Sequence, residues 1–145
     1  DNKELRRPDV RSRFNDTIDV AFEVQLSTTF GRVMAERELF YKKEGGLLVW
    51  IFGTFDPDNA RLMMEVIFVN NNRNAFVVNE ATEAASLEAC TLVLECHWLQ
   101  PSRNDDHITW IHNRRLVRFD ELNLDQENQR AYYVDTDGME ARIKA

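Results

Sequence analysis

The chain has 145 residues, 43% of them apolar and 30% charged, with a formal net charge of −7. That mixture suits one globular domain with a real core and excludes a disordered chain. No apolar run approaches the roughly 18 residues of a membrane span, and the acidic balance argues against broad attachment to nucleic acid, which depends on neutralising phosphates.

Residues 8–14 and 18–26 read as a strand pair around "NDT". Ile18, Val20, Phe22, Val24 and Leu26 alternate with Asp19, Ala21, Glu23 and Gln25, a period of two with one apolar face. Before the turn, Val10, Ser12 and Phe14 alternate with Asp9, Arg11 and Arg13. A three-residue loop, Asn15-Asp16-Thr17, pairs Phe14 with Ile18, Val10 with Phe22 and Arg13 with Asp19. A two-residue loop would set apolar residues against charged ones along the whole hairpin, so the pattern selects the first register. It sets Asp9 opposite Glu23, with Cβ atoms roughly 5 Å apart. Two carboxylates so placed repel unless a cation or a proton intervenes, and Mg²⁺ is a natural occupant. The competing reading is a solvated polar face neutralised by Arg11 and Arg13.

Downstream, residues 28–43 are expected to form a helix capped at Ser27 or Thr28 and ended by Gly45 and Gly46. "LLVWIFG" reads as a strand covered on both faces. A helix is expected from Asp56 and Pro57 to Val69, then a turn at "NNNRN" and a strand at "AFVVN". "LEACTLVLECHWL" reads as one strand, "QPSRNDD" as a loop, "HITWIH", "RRLVRF" and "RAYYVD" as strands, and "NLDQENQ" as a loop, with a fraying C-terminus. The sum is an α/β (α+β) domain: a mixed β-sheet flanked by helices, with an antiparallel second half. No repeat or linker divides it, so residues 1–145 are taken as one domain. The start "DNKELRRPDV", without methionine, suggests missing upstream elements.

On a single strand, Cys90 and Cys96 would point the same way about 20 Å apart, too far for a disulfide. Two buried, reduced thiols are expected, hence a reducing, cytoplasmic compartment. His97, His107 and His112 have no ligand spacing and are expected to be structural or solvated. Trp110, Arg114, Arg115 and Arg118 mix aromatic and basic character as single-strand-binding surfaces do, although alternation in "RLVRF" equally suits arginines in water. No nucleophile elbow, phosphate-cradling loop or dinucleotide motif is present.

"RPDV", then "FEVQLS", then a helix bearing "ERELFYKKEGG" and a strand "LLVWIFG" resemble the PD-(D/E)XK nuclease superfamily, and within it the competence protein CoiA-like nuclease domains and related uncharacterised bacterial proteins. Arg7, Asp9, Val10, Glu23, Gln25, Ser27, Arg37, Tyr41, Trp50 and Ile51 carry the resemblance, over residues 6–53. It implies a restriction-endonuclease-like fold and a Mg²⁺- or Mn²⁺-dependent deoxyribonuclease. Asp9 and Glu23 would hold the metal, assisted by the Val24 carbonyl, and Gln25 would orient the attacking water. Arg37, Tyr41 and Arg11 would meet DNA, the other readings being a helix ion pair of Arg37 with Glu36 or Glu38 and a half-buried core position for Tyr41. Gln25 stands where most members have lysine, and glutamine carries no charge and cannot act as a base. The alternative is therefore a catalytically inactive module binding DNA or a protein partner, with a homodimer also in view.

Overall fold

The computed structural model describes residues 10–14, 18–25, 39–40, 42–58 and 62–145. Its first two strands, β1 (Val10–Phe14) and β2 (Ile18–Gln25), form an antiparallel pair with Phe14 opposite Ile18, Arg13 opposite Asp19 and Val10 opposite Phe22. This is the register the hydrophobic alternation demands, because a shift of one residue would set the apolar residues of one strand against the charged residues of the other.

Leu39, Phe40, Lys42 and Lys43 are helical, and the chain leaves that helix through Gly45 at φ +80. The Gly45 N–H donates to the Lys42 carbonyl, a close that a residue with a Cβ adopts only under strain. Strand β3 (Gly46–Phe52) is buried along its whole length and runs parallel to β2. Helix α1 (Leu62–Asn70) returns the chain to β4 (Asn74–Val77), parallel to β3. The Asp56-Pro57 start does not open this helix: residues 54–56 are irregular, and 57–58 form a turn in which the Asp58 N–H donates to Asp56 Oδ1.

Helix α2 (Glu80–Ala89) takes the first three residues of the strand expected at "LEACTLVLECHWL", and residues 90–92 are non-regular. Asn79 accepts from the Thr82 N–H while the Thr82 hydroxyl serves the Asn79 N–H, and this reciprocal cap outweighs the β-propensity downstream. The strand starts only at Val93. β5 (Val93–Asn104) and β6 (His107–Arg118) form one long antiparallel hairpin around Asp105-Asp106. The expected "QPSRNDD" loop is thus mostly strand, and "HITWIH" and "RRLVRF" are one strand. Pro101 is tolerated because β4 pairs β5 only as far as Trp98, so Pro101 stands where β5 has lost its neighbour on that side.

A short pair, β7 (Asn123–Asp125) and β8 (Arg130–Tyr132), takes part of the expected "NLDQENQ" loop. The C-terminus does not fray: Asp135 caps α3 (Thr136–Lys144) by accepting from the Gly138 N–H. The large sheet has the order β1-β2-β3-β4-β5-β6. It is parallel at its centre and antiparallel from β4 onward, a mixed α/β fold. One face buries Val20, Phe22, Val49, Phe76, Leu94 and Phe119; the other packs Ala21, Trp50, Phe52 and Phe55 against Ile67 and Phe68 of α1.

The β7–β8 segment and α3 are fastened to the sheet by carboxamides. Gln129 accepts from the Leu48 N–H and donates to the Gly46 carbonyl, standing in for a neighbouring strand where β4 does not reach. Asn74, fully buried, accepts from the Tyr133 and Val134 N–H groups and donates to the Asn72 and Val134 carbonyls. Asn71 makes both hydrogen bonds of a strand residue to Ala131, and Asn72 binds Asp135 and the Asp137 N–H. The Asn72 and Gly138 hydrogen bonds hold the Asp135 carboxyl below its usual range.

Candidate functional site

Strand alternation puts Asp19, Ala21 and Glu23 on the face of β2 that looks toward α1. Glu23 is opposite Trp50 and only 4% exposed, and the Gln25 backbone is opposite Phe52. A carboxylate that leaves water needs a compensating partner, because burying it alone is costly. Its expected partner Asp9 lies outside the described residues, as do the side chains of Arg11, Val24, Gln25, Arg37 and Tyr41. Beside Glu23, Trp50 also lines a cavity of about 250 Å³, walled by Leu48, Ile67, Asn71, Asn128 and Gln129.

The same face carries a second polar group that sequence spacing does not reveal. Glu95 and His97 are two residues apart on β5 and share a side of the strand; the β5–β6 register places His112 opposite Leu99, diagonal to His97. His97 Nε2 is 2.9 Å from Glu95 Oε1, and His97 Nδ1 is 2.8 Å from His112 Nε2. His97 is buried, with its ring edge against Phe55, and His112 is exposed. Of the three histidines expected to be structural or solvated, His97 and His112 are thus in contact with each other despite their lack of ligand spacing.

The imidazole centroids lie 5.0 Å apart at an interplanar angle of 23°. That separation is about the N···N distance plus both ring radii, so the rings meet nitrogen to nitrogen in nearly one plane. A metal ion between them would need about 2 Å to each nitrogen, more than the gap holds in line. A proton fits. Among the described residues, no group of three or more His, Cys, Asp or Glu side chains is arranged to hold a metal ion. Burial and the neighbouring His97 hold the His112 imidazolium form below its ordinary range, and Asp56 and Asp58 partly offset this.

The basic strip does not form one surface. Arg114 is on the His97 side of the sheet, while Arg115 lies over Tyr133 on the other. Arg118 pairs with Asp120 at 3.0 Å, and Trp110 is covered by Arg73 at 4.5 Å. Cys96 is buried as expected, but Cys90 is exposed at the end of α2; both are free thiols.

The model of a family described as a domain of unknown function, DUF6035, matches residues 1–137. The chain belongs to this family. The DUF6035 match takes in every strand described above and the first two residues of α3. No curated protein and no solved structure matches the chain. No described helix is long and apolar enough to cross a membrane.

Proposed function

We propose that the protein is a Mg²⁺- or Mn²⁺-dependent deoxyribonuclease built on the β1–β2 hairpin. The observation that carries this reading is Glu23: a carboxylate buried at mid-sheet, directly after Phe22, the last described partner of the β1–β2 hairpin. The parallel tryptophan strand β3 beside it, following a helix that ends at Gly45, agrees with the order of elements in the PD-(D/E)XK resemblance. Carboxylate oxygens with a main-chain carbonyl are a donor set suited to a hard divalent cation. Asp9, Glu23 and the Val24 carbonyl would hold it. Bound there, the ion would supply a water of lowered pKa and positive charge for the phosphate. Gln25 would orient that water by hydrogen bonding, and Arg11, Arg37 and Tyr41 would position the DNA.

Glu23→Gln keeps the size of the side chain and removes its charge. Calorimetric titration with Mg²⁺ and Mn²⁺ should show binding to the wild type and none to the variant, and cleavage of single- and double-stranded DNA should fall by about 100-fold or more. Metal-dependent cleavage that survives in Glu23→Gln would sink the assignment. Because Gln25 lacks the charge of lysine, a second reading is a module that binds DNA or a protein partner without cutting. DNA retention by the wild type with no cleavage, in either metal, would select it.

A further inference from the structure

Glu95, His97 and His112 form a directed chain from a carboxylate, through a buried imidazole, to an exposed one. The hydrogen bonds settle the tautomers by elimination. With both rings neutral and Glu95 accepting, His97 carries its proton on Nε2 and presents a lone pair at Nδ1. His112 must then donate from Nε2, which leaves its Nδ1 as the basic atom, without a protein partner among the described residues. Protonation at that Nδ1 breaks none of these bonds: Nε2–H still donates to His97, and the new charge is felt through His97 by Glu95. A base that gains and loses a proton without rearranging its partners is preorganised for proton transfer.

The surroundings fix the kind of molecule it can serve. Asp56 and Asp58, from the loop after β3, act electrostatically on His112 from one side, and Arg114 does so from its own strand. Asp56 and Asp58 favour the imidazolium that forms when a proton is taken and disfavour an incoming anion, while burial and His97 outweigh them and keep His112 a free base near neutral pH. Arg114 is exposed, two residues from His112 on the same side of β6, where it can meet an oxyanion that appears only during reaction.

We infer that His112, positioned by His97 and Glu95, is the acid–base group of a second, metal-independent site that hydrolyses neutral carboxylic esters. His112 Nδ1 takes a proton from water as the oxygen adds to the ester carbonyl carbon. Arg114 faces the resulting oxyanion. When the carbon–oxygen bond to the alcohol breaks, the proton returns from His112 to the departing alkoxide, giving acid and alcohol with no net change in the protein. His97 and Glu95 are positioning residues that never touch the ester.

The probe is p-nitrophenyl butyrate, assayed in EDTA with the whole chain. Free imidazole at equal concentration gives the background. Saturable hydrolysis above that background is expected, falling at least tenfold in His112→Gln and unchanged in His107→Gln. Glu95→Gln should lower kcat more than it raises KM and displace the pH midpoint of the rate to lower values, because the imidazolium loses a carboxylate's support; a purely structural Glu95 would leave the midpoint in place. Melting curves for each variant separate lost chemistry from lost fold, and if His112→Gln does not fold, Glu95→Gln decides by its pH midpoint. Glu23→Gln should retain the ester activity, so the two sites fail separately. A rate no better than free imidazole, or a fully active His112→Gln, would overturn the inference.

Discussion

Cys96 and Cys90 show how far one side chain's chemistry depends on its address. Cys96 is fully buried between β4 and β6, its thiol directed at Asn74 Oδ1 at 3.5 Å, and burial pushes its pKa up to about 12 against a small opposing hydrogen bond from Tyr133. Cys90 is exposed. Since the thiolate is the nucleophile, iodoacetamide near pH 8 should label Cys90 in the native protein and leave Cys96 untouched, with both labelled in urea. Equal native labelling, read by mass spectrometry, would contradict the burial. His112 supplies the pH dependence. Its folded pKa lies below the ordinary 6.5, so between the two values the unfolded chain binds more protons than the folded one. Stability therefore rises with pH across that window, and the His112 contribution is lost as pH falls from 6.5 through the folded value. Urea midpoints measured from about pH 7 to pH 5 should drop less steeply in His112→Gln than in the wild type; parallel slopes would remove His112 as the cause.

At the scale of elements, α2 ends on a residue in an unfavourable conformation. Cys90 has φ 54 and ψ 34, and its N–H closes the helix on the Ser86 carbonyl. Glycine adopts this left-handed conformation without a Cβ clash, so Cys90→Gly should stabilise the protein by about 0.5–1 kcal/mol, read from the denaturation midpoint. A loss of stability would show that the thiol does more than cap. The same helix explains what the sequence conceals. β1 and β2 were legible, down to residue pairs, because each has one clean apolar face and the wrong register is penalised at every rung. α2 offers no apolar stripe to read: it is rich in alanine and glutamate, Leu87 is exposed, and its signal was the cap at Asn79 and Thr82. The β5–β6 turn was hidden because Asp105, at φ 55, sits inside a polar run that reads as a longer loop. Glu23 could be singled out as an acid within an apolar strand. The His97–His112 contact could not, since it exists only through a register joining residues fifteen apart.

For the whole molecule, the question is whether the C-terminal segment is an appendage or part of one cooperative unit. The run "NNNRN" decides it. Asn71, Asn72 and Asn74 each use a carboxamide on backbone or side-chain groups between residues 131 and 137, and Arg73 reaches Asp137 at 3.0 Å. Asn74 is the innermost of these, and its Oδ1 satisfies two backbone N–H groups that β8 leaves behind. Asn74→Ala would strand both donors where water does not reach, at a cost of about 3 kcal/mol. It would also remove the group that the Cys96 thiol faces, so Cys96 should become reactive in step with the loss of stability. If the segment and sheet fold as one unit, circular dichroism and tryptophan fluorescence should report a single coincident transition at a lower denaturant midpoint. Hydrogen exchange that rises only in residues 131–144, with the sheet still protected, would instead make the asparagine clasp a local fastening.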